Sequence, residues 1–334
     1  MSDRKRVGVV LFQLGGPDSP AAVEPFLYNL FCDPDIIPLG LLGAVLRRPL
    51  AWWIARRRSR VVAQHYAEIG GHSPIRLLTE RQARALETAL APHVEPRVVI
   101  AMRYWQPFTA QAAREINGSA LDCVVLLPLY PQYSLATTGS SLREWSRVYK
   151  PSRPPLPLHG IEHFYNHPLY LDAVVERIAL SLTHFDRPAE AHLVFSAHGL
   201  PLSLIEKGDP YQRQVEATVR LVLERGGWPN AHTLCYQSKV GRQKWLEPSL
   251  AATIEQLAQA GVRHMLVIPI AFVTEHIETL YEINIEAREE AEKRGVEQFE
   301  MMPAVGDSPR FIAALADMVL RAVGVEAAIT AVSE

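Results

Sequence analysis

Two nine-residue stretches decide the fold: VVLFQLGGP at residues 9–17 and LVFSAHGLP at residues 193–201. Each is an apolar run that ends in Gly and Pro, and Gly15 corresponds to Gly199 at an offset of 184 residues. Apolar runs without strict alternation are typical of parallel strands that are buried on both faces. Each stretch therefore predicts a buried strand that ends in a sharp turn.

Short apolar runs alternate along the chain with longer stretches whose apolar residues recur at helical spacing. The predicted strands are Val7–Phe12, Arg97–Met102, Cys123–Leu127, His192–Ala197, Thr233–Tyr236 and His264–Ile268. The predicted helices are Glu80–Leu90, Pro168–Leu182, Tyr211–Arg225 and Leu250–Ala260. This alternation predicts an α/β fold with parallel sheets.

A second internal similarity pairs Pro128 with Pro269 at an offset of 141 residues, so the first half is 43 residues longer between its two landmarks. We expect two similar Rossmann-like α/β lobes with an active-site cleft between them, because open α/β sheets bind ligands at the carboxyl ends of their strands. The predicted N-terminal lobe spans residues 1–150 and includes the insertion at about 34–76. The predicted C-terminal lobe spans residues 151–334, with the alternative that the last helix packs back on the first lobe.

The composition of the 334-residue chain is that of a globular enzyme, with 48% hydrophobic and 21% charged residues. A net charge of −2 gives no reason to expect nucleic-acid binding. Cys32, Cys123 and Cys235 lie far apart, which argues against a zinc site, a disulfide framework or an iron–sulfur cluster. Because neither a signal peptide nor an apolar run of about 18 residues is visible, we expect a cytoplasmic protein.

One segment, Pro38–Arg60, is both apolar and strongly basic: PLGLLGAVLRRPLAWWIARRRSR. It contains Trp52 and Trp53 and six arginines but no acid. Tryptophan beside arginine suits a membrane interface, where arginines meet anionic head groups. A helix that packs on its own domain with a solvated basic face explains the pattern equally well.

His198 lies in the turn Ser196–Pro201, directly after a predicted buried strand. Imidazole exchanges protons near neutral pH, so a histidine at the edge of a cleft is a candidate general base. The alternative is a structural histidine held by hydrogen bonds.

A predicted helix after the strand His264–Ile268 carries Glu278, Glu282 and Glu286 at intervals of four residues. Like charges at this spacing share one face and repel, and a divalent cation moving along the row would compensate them. His276 and Glu275 precede the row at its cleft end. The row suits a divalent cation in transit better than a permanent site, and the alternative is a solvated acidic face.

Seven blocks of this sequence, in order from about Val7 to Phe311, resemble ferrochelatase. They are Gln13–Pro17, Gly70–Ile75, Arg103–Trp105, Pro131–Ser134 through Gly139–Ser141, Ser196–Pro201, Gln237–Gly241 and Glu275–Glu282. The resemblance implies insertion of Fe(II) into protoporphyrin IX, the last step of protoheme synthesis, with the macrocycle held between two lobes.

The resemblance also implies roles for individual residues. His198 and Glu278 match the residues that face the ring nitrogens, and both are candidate catalytic residues and metal ligands. Glu282 and Glu286 match acids on a widened, π-type helix proposed to conduct metal or protons, and we add His276 and Glu275 to this path. The implied porphyrin-binding residues are Leu14, Ser73, Arg103, Tyr104 and Tyr133.

Several features refine this expectation. The chain ends without the cysteines of cluster-containing relatives, so we expect no [2Fe–2S] cluster and no tightly bound cofactor, with Fe(II) as a substrate. Glu275 stands where the family often has Asp, and Leu14 favours protoporphyrin over coproporphyrin. The segment at 38–60 corresponds to an apolar lip, which favours peripheral contact with the inner face of the membrane.

Three alternatives to this function stay open. One is a cobalt or nickel chelatase acting on another tetrapyrrole. The second is a heme or porphyrin carrier without catalysis. The third, a nucleotide-sugar transferase, has no support beyond the fold. The sequence is compatible with either a monomer or a homodimer.

Overall fold

The computed structural model describes residues 4–34, 36–37, 43–151, 155–238 and 243–326. The chain divides into two compact units. Among the described residues, the N-terminal unit comprises those up to Leu129, Leu135–Glu162 and Leu315–Glu326, and the C-terminal unit comprises Tyr130–Ser134 and His163–Ala314. A domain boundary at residue 150 stays a prediction.

The N-terminal unit carries a four-stranded parallel sheet in the order β2-β1-β3-β4. Its elements are β1 (Arg6–Gln13), a 3-10 turn (Pro20–Ala22), α1 (Val23–Phe31), α2 (Gly43–Glu68), α3 (Ile75–Leu90), β2 (Glu95–Met102), α4 (Thr109–Asn117), β3 (Cys123–Pro128), a π-turn (Leu135–Gly139), α5 (Ser140–Val148) and β4 (Leu158–Gly160).

The C-terminal unit carries a second four-stranded parallel sheet, in the order β6-β5-β7-β8. Its elements are α6 (Pro168–Leu182), a 3-10 turn (Pro188–Glu190), β5 (His192–His198), α7 (Leu202–Glu206), α8 (Tyr211–Gly226), β6 (His232–Gln237), α9 (Leu250–Gln259), β7 (His264–Pro269), a π-helix (Glu278–Ala287), α10 (Arg288–Lys293), β8 (Gln298–Met301) and the first part of α11 (Pro309–Ala322).

The two sheets have the same strand order, which confirms the internal similarity seen in the sequence. β1 and β5 occupy equivalent places in the two sheets. Pro128 ends β3 and Pro269 ends β7, and these two strands are also equivalent. The insertion predicted at about 34–76 contains α2, although Pro38–Leu42 lies outside the described residues. The α/β fold with two parallel sheets is therefore confirmed.

The sequence missed two of the four edge strands, β4 and β8, because they have only three and four residues. It also placed the start of α3 at Glu80, whereas the helix begins at Ile75. Pro74 precedes that first turn and has αR backbone angles that already suit a helix.

The cores explain why the strands lack alternation. β1 is buried at seven of its eight positions and β3 at all six, because helices cover both faces of the sheet. In the N-terminal unit, Phe12 packs edge-on against Trp145, with ring centroids 5.9 Å apart. In the C-terminal unit, Val194 and Val267 lie in a core cluster with Ile283 of the π-helix. Burying one such side chain stabilises the fold by about 1.5–3 kcal/mol.

Among the described residues, no helix is both long enough and apolar enough to cross a membrane.

Candidate active site

His198 is the last residue of β5, and a tight turn follows it. It pairs with Gln237 at the end of β6, and the backbone N–H of Gly199 donates to the carbonyl of Gln237 at 2.7 Å. A Cβ on Gly199 would lie 2.9 Å from that carbonyl oxygen, so a larger residue does not fit without a backbone shift. The glycine in the motif therefore allows the close approach that fixes His198 at the carboxyl end of the sheet.

Glu278 is the first residue of the π-helix and contacts His198 directly. The distance from His198 Nδ1 to Glu278 Oε2 is 2.8 Å, and the two side chains are 36% and 17% exposed. A carboxylate accepts hydrogen bonds, so it selects the form of the imidazole that carries a proton on Nδ1. In the neutral ring this leaves the lone pair on Nε2 as the proton acceptor.

His276 flanks the same carboxylate oxygen on another side. Its Nδ1 lies 3.0 Å from the carbonyl of Thr274, and its Nε2 lies 3.8 Å from Glu278 Oε2. The ring of Phe272 packs against both imidazoles, with centroids 4.6 Å from His276 and 6.5 Å from His198. One carboxylate thus serves two imidazoles beside an aromatic wall.

The charges of these three groups reinforce one another. Burial lowers the pKa of His198, but the charge of Glu278 and the hydrogen bond to it outweigh burial, so the pKa is raised. The pKa of His276 is raised in the same way. Burial opposes ionisation of Glu278, yet the two histidines hold its pKa well below the ordinary value. The group therefore favours an ionised carboxylate with protons on the imidazoles.

Glu282 continues the row along the π-helix. Burial and the charge of Glu278 raise the pKa of Glu282 to about 7, although a hydrogen bond from Ser238 opposes the shift. Ser238 has a φ of 66°, which L-residues seldom adopt, and its hydroxyl donates a short hydrogen bond to Glu282. Glu286 is exposed further along. The observed π-helix at Glu278–Ala287 confirms the expected π-type helix. A carboxyl with a pKa of about 7, that of Glu282, therefore lies next to Glu278.

Glu275 has a different surrounding. Its Oε1 accepts from the backbone N–H of Ala304 at 2.6 Å, and its Oε2 accepts from the hydroxyl of Thr279. Oε1 therefore joins the chain before the π-helix to the loop after β8, and Oε2 joins it to the first turn of the π-helix. A part for Glu275 in a metal or proton path stays a prediction.

The residues predicted to bind porphyrin divide between the two units. In the N-terminal unit, backbone hydrogen bonds gather four of them near the carboxyl end of β1: Arg103 N donates to Gln13 O, Tyr104 N to Leu14 O, and Ser73 N to Pro17 O, at 2.8–3.0 Å. Tyr133 lies in the C-terminal unit, where its N–H donates to the side chain of Gln214 at 2.7 Å. Their contact with a porphyrin stays a prediction.

Two residues of the candidate site, Gln237 and Ser238, were not predicted from the sequence to have a role. Gln237 accepts from Ser196 Oγ at 2.7 Å and donates to the carbonyl of Glu278 at 3.0 Å, so its amide joins β5 to the π-helix. Ser238, next along the chain, holds Glu282. Both lie in the motif Gln237–Gly241, but the spacing of its residues predicted no function for either. Lys239–Arg242 lies outside the described residues.

The metal-ligand roles of His198 and Glu278 also stay predictions. In the described part of the chain, no three His, Cys, Asp or Glu side chains are arranged to hold a metal ion.

Comparison with known proteins gives first the fold and then the family. The fold is similar to that of the sirohydrochlorin chelatase SirB from Bacillus subtilis subspecies spizizenii in complex with cobalt, with a TM-score of 0.52, 12% identity and 96% of each chain covered. At this identity the likeness shows the chelatase fold alone.

The sequence identifies the family. Residues 6–323 match the sequence model of the Ferrochelatase family. The Ferrochelatase of Citrifermentans bemidjiense is 48% identical over 94% of this chain and 98% of its own. That of Gloeobacter violaceus is 46% identical over 96% of this chain and 98% of its own. The chain belongs to the ferrochelatase family, and it is a porphyrin metal chelatase, a lyase.

Proposed function

We propose that this chelatase inserts Fe(II) into protoporphyrin IX with His198 as the acceptor of the pyrrole protons. The observation that carries the proposal is the contact between His198 Nδ1 and Glu278 Oε2 at 2.8 Å. It leaves Nε2 as the basic nitrogen of a ring that is 36% exposed, at the carboxyl end of a parallel sheet.

The reaction releases two protons, and the group can take both. As four Fe–N bonds form, the two pyrrole N–H bonds break and each leaves its electron pair on nitrogen. His198 Nε2 takes a proton from the ring, and the charge of Glu278 stabilises the resulting imidazolium. A second proton finds acceptors in the same group, because His276 and Glu282 adjoin Glu278. Neither step needs a resident cofactor.

The carboxylate row gives the protons or the metal a route. Burial and the charge of Glu278 raise the pKa of Glu282 to about 7, so this carboxyl can exchange a proton near neutral pH. Glu286 is exposed to solvent, and its charge adds to the rise in the pKa of Glu282. We assign the exchange of protons or Fe(II) with solvent to Glu278, Glu282 and Glu286, with His276 alongside.

Leu14, Ser73, Arg103, Tyr104 and Tyr133 are proposed to bind the porphyrin. Their modes differ, because Tyr104 is 1% exposed and Ser73 is 5% exposed, whereas the Arg103 side chain is 19% exposed. Leu14 and Tyr133 are half-buried. We therefore assign direct contact to Leu14, Arg103 and Tyr133, and support of the pocket to Tyr104 and Ser73.

Helix α2 supports peripheral contact with the inner face of the membrane. Val45, Trp52 and Trp53 are 77%, 52% and 54% exposed. The guanidinium groups of Arg56 and Arg57 lie 5.5 Å from the ring centroids of Trp52 and Trp53. Each pair offers an aromatic ring to the acyl boundary and a cation to an anionic head group. Contact here would let the apolar substrate and product pass to and from the bilayer.

A single assay tests the function. The protein is mixed with protoporphyrin IX and Fe(II) without oxygen, and the absorption spectrum is followed for heme. Multiple turnovers are expected. Binding of the porphyrin without heme formation would indicate a carrier, and turnover only with another tetrapyrrole or with Co(II) or Ni(II) would indicate a different chelatase.

A further inference from the structure

A buried carboxylate in the N-terminal unit gathers three side chains on one oxygen atom. Asp33 Oδ2 accepts from Arg103 Nη2 at 2.7 Å, from the hydroxyl of Tyr104 at 2.6 Å and from Ser140 Oγ at 2.9 Å. The side chain of Asp33 is only 1% exposed. We call these four residues the Asp33 cluster.

The cluster joins three segments that are distant in sequence. Asp33 follows α1, Arg103 and Tyr104 follow β2, and Ser140 begins α5. The backbone carbonyl of Asp33 also accepts from Ile36 N and Ile37 N, where the chain leaves toward α2. One residue thus ties the turn after α1 to the carboxyl end of the sheet.

The contacts fix the plane of the Arg103 guanidinium. Nη2 donates to Asp33, Nε donates to Ser140 Oγ at 2.9 Å, and the Tyr104 ring lies 5.0 Å from the guanidinium carbon. These bonds use two of the five N–H donors of an arginine. Arg103 also lines a cavity of about 340 Å³ within this unit, so its remaining donors have open space to reach a ligand.

Electrostatics make Asp33 the member on which the others depend. A carboxylate this deeply buried requires a partner of opposite charge, and Arg103 supplies it. Burial and the charge of Asp33 raise the pKa of Tyr104, so the phenol stays protonated and keeps donating. Removing Asp33 would leave three donors without their common acceptor and would free the guanidinium to turn.

We propose that Asp33 is a positioning residue that fixes Arg103 for porphyrin binding. It acts through Arg103, because the side chain of Asp33 is 1% exposed and that of Arg103 is 19% exposed. The inference rests on the proposed function of Arg103, and its test must separate a failure of the one from a failure of the other.

A double-mutant cycle provides that separation. The variants Asp33→Asn, Arg103→Ala and the double variant are titrated with protoporphyrin IX by fluorescence, and kcat, KM and Tm are measured for each. We expect Asp33→Asn to raise Kd and KM for the porphyrin about tenfold while kcat at saturation stays within about twofold. In the Arg103→Ala background, Asp33→Asn should raise Kd no further.

Asp122→Asn is the matched control. Asp122 pairs with Arg6 at 2.6 Å in the same unit, where β1 begins, and both side chains are well exposed. It should change none of the porphyrin constants. If Asp33→Asn fails to fold, Ser140→Ala serves instead, since it removes one contact of both Asp33 and Arg103 but keeps the charge pair. Its expected effect is a rise in Kd of about threefold, again absent in the Arg103→Ala background.

The two possible failures look different. If Arg103→Ala leaves Kd unchanged, the proposed role of Arg103 is wrong. If Arg103→Ala raises Kd but the substitution at Asp33 or Ser140 does not, or adds its full effect to that of Arg103→Ala, Asp33 does not act through Arg103 and the inference is overturned.

Discussion

His198 Nδ1 lies 2.8 Å from Glu278 Oε2, and this contact joins the end of β5 to the first residue of the π-helix. It sets which imidazole nitrogen carries a proton, it raises the pKa of the histidine, and it lowers the pKa of the acid. The proton-accepting chemistry proposed for the site depends on this one contact.

Replacing Glu278 by Gln should lower kcat about 100-fold or more, since it removes the charge that stabilises the His198 imidazolium. The pH dependence should change as well. His198 accepts protons only when neutral, so activity rises with pH through its raised pKa. Without Glu278 that pKa falls, because burial is left as the main influence, and the rising limb should move to lower pH.

Glu289→Gln is the control for that measurement. Glu289 is exposed on α10 and pairs with Lys293 at 3.5 Å. Its rate and pH profile should match those of the wild type. An unshifted limb in Glu278→Gln would show that the acid does not control the titration of the base.

Stability should depend on pH through the same contact. The folded pKa of His198 lies above its ordinary value of 6.5, so its contribution is fully present below pH 6.5 and is lost as pH rises through the folded pKa. The folded pKa of Glu278 lies below its ordinary 4.5, so its contribution is present above pH 4.5 and is lost only at lower pH.

The Tm advantage of the wild type over Glu278→Gln should therefore be largest between pH 4.5 and 6.5 and should shrink at higher pH. Calorimetric scans at about pH 5.5 and about pH 8.5 measure the difference. An advantage that grows with pH would have the wrong sign and would contradict the assignment of the ion pair.

Gly199→Ala should destabilise the protein by about 1–3 kcal/mol, because the new methyl group would overlap the carbonyl of Gln237. The displaced turn should also reduce iron insertion, since it carries His198. Gly160→Ala is the control, as nothing lies within 4 Å of a Cβ at that position. Urea unfolding and the heme assay measure the two effects; equal behaviour of the two variants would remove the steric role of Gly199.

Membrane contact through α2 can be tested with vesicles. The pair Trp52→Ala and Trp53→Ala should weaken binding to both neutral and anionic vesicles, because it removes the apolar anchor. The pair Arg56→Gln and Arg57→Gln should weaken binding only to anionic vesicles, by about 1 kcal/mol per arginine.

Leu180→Ala, which removes another side chain that is 54% exposed, should have no effect on vesicle binding. Sedimentation with the vesicles gives the bound fraction. If the protein does not sediment with vesicles of either kind, the proposed contact is wrong.

The sequence predicted the central strands well, because burial on both faces gives runs such as Val7–Phe12 a simple apolar signature. It predicted the turn after His198 for a similar reason, since Gly199 and Pro201 restrict the backbone there. The edge strands β4 and β8 were not predicted, because a strand of three or four residues is too short to show a hydrophobic pattern.

The candidate site was predictable where residues lie close in sequence. The spacing of the acids at 278, 282 and 286 predicted that they share one helix face, and the resemblance to ferrochelatase predicted the widened helix. Contacts between distant segments were not predictable: Asp33 lies 70 positions from Arg103 and 107 from Ser140, and no local spacing connects them. The role of Ser238 was not predictable for the same reason, because its backbone angle and its hydrogen bond to Glu282 arise only in the folded unit.

The role of His198 is tested by anaerobic iron insertion with the His198→Ala variant, while porphyrin binding is measured in parallel by fluorescence. His192→Asn, at the opposite end of β5, is the control. We expect His198→Ala to bind protoporphyrin IX but to form heme at least about 100-fold more slowly, while the control retains its rate. Near-normal heme formation by His198→Ala would show that His198 is not the acceptor of the pyrrole protons.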